Sequence, residues 1–237
     1  MTSLRSLNIS LVKNPKKITM EHKSDYAIFT NKFTKKKLVY YPVKKNANTS
    51  AKLFLLRHLG LEERFFFNED EIPRYKLTEE TIRKYGNKNN LIGFLPSGIQ
   101  FKKVEADFKC CIVRDPVKRF ISAFKNRVLY HKDKDFYNHS LDQIIEKLEN
   151  NLFENKHFLP QSFNLGLDLS YYTHIGKTNN MIDFVNGINN FFQQVKEFPI
   201  LQTGGKEFKI NLTNDQINKI KKIYDNDYFM LKDISFD

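Results

Sequence analysis

The residues best placed to do chemistry lie just past an apolar run, in the order Cys110-Cys111-Ile112-Val113-Arg114-Asp115-Pro116-Val117-Lys118-Arg119-Phe120-Ile121-Ser122. The run reads as a buried strand that stops at Arg-Asp-Pro, and Pro116 suits the first turn of a following helix. That order sets the Arg114 guanidinium at the carboxyl end of a strand and the Ser122 hydroxyl near a helix start. With the free N–H groups of that end, they suit a phosphate-like dianion. Asp115 reads as a residue that orders the turn, and Arg119 as either a ligand contact or a surface ion pair. A second group of the same kind lies upstream, Lys45-Asn46-Ala47-Asn48-Thr49-Ser50. It offers one ammonium, two hydroxyls and the N–H groups of a helix start. Two such loops imply a ligand with two separated anionic groups. Neither is a Walker A loop, because the G-x-x-x-x-G-K-[ST] order is absent, and this disfavours a nucleoside triphosphatase.

The elements that must position these loops follow from local pattern. Leu38-Val39-Tyr40-Tyr41-Pro42 reads as a strand closed by proline, and Ser50 to Leu59 as a helix stopped by Gly60. Phe108 to Val113 is the second strand, with a helix from Pro116 to about Leu129. Ser140 caps a helix to Glu149, Tyr171 to Ile175 reads as a third strand, and residues 179–195 as another helix. Thr213-Asn214-Asp215-Gln216 resembles a capping box opening a last helix that ends near Tyr228. Strands alternating with helices predict an α/β fold, a central parallel sheet flanked by helices in three layers. Both polar loops then lie at the carboxyl ends of strands, where such sheets bind ligands. The chain is expected to form one domain over 1–237. Residues 1–25 read as a loosely patterned lead-in, and 61–100 and 130–165 as insertions on the acceptor side.

Bulk properties narrow the partners. The 237 residues carry a net charge of +12, so anionic partners are expected. The lysines are scattered, with short clusters such as Lys35-Lys36-Lys37, and no aromatic-interleaved basic stripe or recognition helix is evident, which disfavours nucleic acid. The two cysteines are adjacent in a strand and therefore point to opposite faces, so no disulfide framework exists and a reducing compartment is favoured. Met1 to Met20 has no apolar core of signal-peptide length, and no stretch approaches a membrane span. The expectation is a cytoplasmic protein without an integral membrane segment.

Taken together, five segments resemble the carbohydrate sulfotransferase family, which includes the chondroitin and dermatan sulfotransferases. Arg114-Asp115-Pro116-x-x-Arg119-x-x-Ser122-Ala123-Phe124-x-x-Arg127 resembles its 3′-phosphate motif, and Lys45 to Ser50 its 5′-phosphosulfate loop. His157-Phe158-Leu159-Pro160-Gln161-Ser162 resembles its His-aromatic-x-Pro-Gln segment. Ile175-Gly176-Lys177 and the stretch from Leu212-Thr213 to Tyr224-Asp225-Asn226-Asp227-Tyr228 resemble its later strand end and closing helix. The register runs from about residue 39 to 230. Lys44 replaces the proline usual before the loop lysine, Arg127 stands where lysine is common, and luminal cysteines are missing. The last of these departures points to a cytosolic, bacterial relative.

The resemblance implies 3′-phosphoadenosine 5′-phosphosulfate (PAPS) as donor, a hydroxyl of a carbohydrate or glycolipid as acceptor, and no metal. It implies that Lys45 neutralises charge developing on the bridging oxygen. Lys45, Asn46, Ala47, Asn48, Thr49 and Ser50 would line the 5′ site, and Arg114 and Ser122 the 3′ site. For the general base, His157 is the first choice, with a purely orienting role on the Pro-Gln turn as its alternative. His58 reads as packed, and Glu62, Glu63, Glu69 and Glu71 as further acidic options. The rival readings are a basic nucleic-acid-binding protein and a kinase-like phosphotransferase.

Overall fold

The computed structural model describes residues 25–69, 72–75, 81–86, 92–96, 101–153, 155–201 and 204–236. The lead-in therefore lies outside the described residues except at Asp25. The sheet is built from β1 (Asp25–Thr30), β2 (Lys37–Tyr41), β5 (Ile92–Pro96), β6 (Phe108–Val113) and β7 (His174–Lys177), in the order β5-β1-β2-β6-β7. β2, β6 and β7 pair in parallel, Tyr41 opposite Cys111 and Cys111 opposite Ile175. β1 runs antiparallel to both β2 and β5. The expected parallel sheet is thus present as β2, β6 and β7, and antiparallel β1 makes the sheet mixed toward one edge. β3 (Phe66–Glu69) and β4 (Ile72–Tyr75) form a separate hairpin. Residues 61–100 are therefore not only an insertion on the strand ends, since they supply the edge strand β5.

Four of the five residues of β2 are buried, as are five of the six of β6, because both faces of the sheet are covered. Leu38, Tyr40, Cys110 and Ile112 face one layer. There they meet Phe54 and Leu55 of α1 (Asn48–Leu59), and Phe184 and Ile188 of α5 (Ile182–Phe192). Val39, Tyr41, Cys111 and Val113 face the other layer, with Leu165 of α4 (Gln161–Leu165) and Met230 of α7 (Asp225–Met230). The strand period of two thus sends the adjacent cysteines to opposite layers, and both are free and buried. Burial pushes both thiols far above their ordinary range. A third cluster joins α2 (Pro116–Ala123), α3 (Leu141–Glu149) and α6 (Asn214–Ile223) through Phe120, Ile144 and Ile220.

Helix ends match their local chemistry. Ser140 and Thr213 make the two halves of a capping box with Gln143 and Gln216. Gly60 stops α1 in the left-handed region at φ 64°. Three expectations change. The helix after β6 passes at Phe124 into a π-type segment reaching Tyr130, where the His131 N–H donates to the Asn126 carbonyl. The third strand starts at His174 because Leu169–Tyr171 coils into a short 3-10 turn. The closing helix breaks at Tyr224 into α6 and α7.

Candidate active site

Parallel neighbours β2 and β6 end side by side, so the loops after Tyr41 and Val113 leave the same rim about 5 Å apart. They touch directly: Arg114 Nη1 donates to the Lys45 carbonyl at 3.1 Å. The first loop has no glycine, yet Lys45 (φ 68°) and Ala47 (φ 53°) both adopt left-handed backbone. The first N–H of α1 with an intrahelical partner is that of Ala51, which donates to the Ala47 carbonyl. Those of Asn48, Thr49 and Ser50 precede it, no side chain caps them, and the first turn holds no acidic residue. A helix terminus of this kind, carrying a lysine on its lead-in turn, is an anion cradle.

The charge around Lys45 is one-sided. Burial first, and then the guanidiniums of Arg114, Arg127 and Arg119 in that order, together lower its pKa to about 7. Among the described residues, no hydrogen bond or ion pair holds its ammonium. Arg114 is itself depressed, by burial first and then by Arg119, with Asp115 opposing. Asp115 caps α2, accepting from the Lys118 N–H at 2.8 Å.

Several residues prove to be struts. Arg119 is 1% exposed, so it is neither a ligand contact nor a surface ion pair. Its Nε donates to the Lys44 carbonyl at 3.0 Å and its Nη2 to the His157 carbonyl at 3.2 Å. Asn46 is fully buried, and its Nδ2 donates to the Ile112 carbonyl at 2.8 Å and to Gln161 Oε1 at 2.6 Å. Gln161 is the hub that sequence reasoning left without a role. Its Oε1 also accepts from the Arg114 N–H at 3.0 Å, and its Nε2 donates to the Arg114 carbonyl at 2.8 Å. One amide therefore clamps the first loop to the second. Gln161 is held in turn by Asp227 Oδ2, which accepts the Gln161 N–H at 2.8 Å, while Asp227 Oδ1 accepts from Ser162. The Pro-Gln segment and the Tyr224–Asp227 region thus work as scaffolding under the cradle. Ser50 is also turned inward, and its hydroxyl accepts from the Leu201 N–H at 3.1 Å. Thr49 and Ser122 stay half-buried at their helices, Ser122 one turn after Arg119.

His157 is half-buried on the same side. Burial, then Lys44, Arg127, Lys45 and Lys156, hold its pKa far below the ordinary imidazole value, so the ring is neutral at pH 7. Its Nδ1 lies 2.7 Å from Asn155 Oδ1. The other base candidates fare differently. His58 is 4% exposed, held by the Phe54 carbonyl and Asn189 Oδ1 and stacked on Phe192. It sits near the far end of α1, about 15 Å from that helix's start at 1.5 Å per residue. Glu62 and Glu63 follow beyond that end, so α1 sets them away from the cradle too. Glu69 closes β3, and Glu71 lies outside the described residues. A cavity of about 250 Å³ lined by Asn31, Arg57, His58 and Phe192 also lies at that far end.

At Gly205 (φ 87°) a Cβ would come within 2.9 Å of the Lys125 backbone, so this loop lies directly on the π segment that carries Arg127.

The molecule is a three-layer α/β protein with two cationic loops at the carboxyl rim of adjacent parallel strands, the rim at which such sheets bind ligands. Residues 30–232 match the Sulfotransferase family, and the chain belongs to that family. It is accordingly an enzyme of sulfuryl transfer. No curated protein and no solved structure matches the chain. Among the described residues no helix is long and apolar enough to cross a membrane, and no group of three His, Cys, Asp or Glu side chains is arranged to hold a metal ion.

Proposed function

We propose that the chain transfers a sulfuryl group from PAPS to a hydroxyl of a carbohydrate or glycolipid, in line and without a metal, in the cytoplasm. One observation carries the reading. The Lys45 ammonium lies beside an uncapped helix start and three guanidiniums, and the second loop grips its own carbonyl. That arrangement asks for an anion on the first loop and a second anion one strand away. In this reading the 5′-phosphate lies on the N–H groups of Asn48 to Ser50 and the Thr49 hydroxyl, with Asn46 and Ala47 giving the loop its shape. The 3′-phosphate lies on Arg114 and Ser122. Lys45 meets the charge that grows on the oxygen bridging phosphorus and sulfur as that S–O bond breaks. His157 Nε2 takes the proton from the acceptor oxygen as the new S–O bond forms, a contribution of about 10²–10⁴ in rate. The donor's negative charge offsets the lysines and arginine that depress the ring, which makes it a stronger base in the complex. Two buried thiols and no disulfide suit a reducing compartment.

Thermal-shift measurements with 3′,5′-adenosine bisphosphate against ATP plus magnesium test the donor site. Stabilisation by the first and none by the second is expected, and the reverse would favour a phosphotransferase. A radiolabelled-donor assay against unsulfated polysaccharides and glycolipids then reports the acceptor class.

A further inference from the structure

A chain of polar side chains runs behind His157, and its hydrogen bonds fix their own orientation. Arg127 grips the Asp133 carboxylate with Nε on one oxygen and Nη2 on the other. Asp133 Oδ2 accepts from Asn155 Nδ2 at 2.8 Å. The amide of Asn155 is therefore not free to flip, because an amide oxygen turned toward the carboxylate would be repelled. Its Oδ1 must then face His157, where the backbone N–H of His157 donates to it at 3.0 Å. An oxygen that already accepts from that N–H offers His157 Nδ1, at 2.7 Å, only an acceptor.

We propose that Arg127, Asp133 and Asn155 act as positioning residues that keep the His157 proton on Nδ1 and present Nε2 as a bare lone pair toward the acceptor hydroxyl. This rests on His157 being the base. Each member has one arrangement in which all the bonds are satisfied, so tautomer and ring plane are set before any substrate arrives. Arg127 is thereby committed to Asp133, and its contribution to the phosphate side is its charge alone. The inference also gives the π segment a purpose, since Arg127 sits within it and meets Asp133 across the turn that follows.

Nitrogen NMR of the full wild-type chain, with histidine ring nitrogens labelled, reads the tautomer directly. Nδ1 is expected at the protonated, pyrrole-like position and Nε2 at the unprotonated, pyridine-like position. The opposite pattern overturns the proposal whatever the variants do. Asn155→Ala should lower kcat by roughly 10²–10⁴-fold while leaving affinity for 3′,5′-adenosine bisphosphate within about twofold, because no phosphate contact is touched. The exchange Asn155→Asp with Asp133→Asn keeps one donor between the two side chains and an acceptor on Nδ1, and this variant should recover most of kcat. Transfer is read as radiolabel passed to a pool of unsulfated polysaccharides and glycolipids. Unchanged kcat in Asn155→Ala, or equal loss in both variants, overturns the positioning role. Full activity in His157→Ala would instead remove the base reading, and the wild-type tautomer would still decide whether this chain sets it.

Discussion

Lys45 offers the sharpest quantitative test, because its charge state and the proposed donor site are linked. With only protein groups around it, its pKa lies near 7, against an ordinary 10.5. A bound 5′-phosphate supplies the missing counter-charge, so in the complex the ammonium should titrate at about 10.5 or above. The sign follows from which state holds the proton. Below pH 7 both forms are charged and binding is at full strength. Above it the protein alone loses the proton while the complex keeps it, so affinity falls until pH reaches the bound pKa. With those two values, 3′,5′-adenosine bisphosphate should bind roughly fifty-fold more weakly at pH 9 than at pH 7, about 2.3 kcal/mol. The ligand does not supply this slope, since its phosphates already lie above their second pKa of about 6. Nor does His157, which stays neutral throughout that range. Isothermal calorimetry at fixed 0.15 M ionic strength, repeated in buffers of different ionisation enthalpy, measures affinity and proton uptake together. Lys45→Arg, which does not titrate, should flatten the profile. A flat wild-type profile, or the same slope in Lys45→Arg, would refute the account of Lys45 as an unpaired cation awaiting an anion.

Three further outcomes are expected. Arg114→Ala should abolish stabilisation by the bisphosphate in a thermal-shift assay, and an undiminished shift would remove the 3′-phosphate assignment. Gln161→Ala leaves both backbone groups of Arg114 without their partner, a loss of about 1–3 kcal/mol for each buried unsatisfied group. Its melting temperature should fall by about 5–15 °C for a chain of this size, and a drop under a degree or two would show that the clamp contributes little. Cys110 and Cys111 should resist Ellman's reagent at pH 8 until the chain unfolds; rapid reaction of either thiol in the native protein would contradict its burial.

What was legible in the sequence was local. β2 and β6 announce themselves as apolar runs that end at a proline-bearing turn, and the caps at Ser140 and Thr213 need only four residues each. The two loops followed, because a loop's place at a strand's carboxyl end is fixed by the alternation of elements. β1 and β5 were not legible, since an edge strand is recognised by what it pairs with, and Ile92 meets Phe29 across more than sixty residues of intervening chain. Arg119 was misread for a related reason. A helix start shows neither face as buried, and only the carbonyls of Lys44 and His157 reveal where its guanidinium points. Gln161 was visible as a motif member, but its four bonds reach three separate segments, at Asn46, Arg114 and Asp227. Asn155 and Asp133 went unnoticed because small polar residues in a loop look like solvated turn formers. The one available hint was Asn155 two positions before the favoured histidine.

The left-handed turns at Lys45 and Ala47 carry a consequence for kinetics. Non-glycine residues in that conformation cost about 1–2 kcal/mol each, and here the strain is sustained by the Asn46 and Arg114 struts, where glycine would have lent pliability. The loop is therefore shaped while the polypeptide folds. On the proposed function, a nucleotide arriving later meets a preformed socket and need not order it, so encounter rate and salt concentration, not loop closure, should govern how fast it lands.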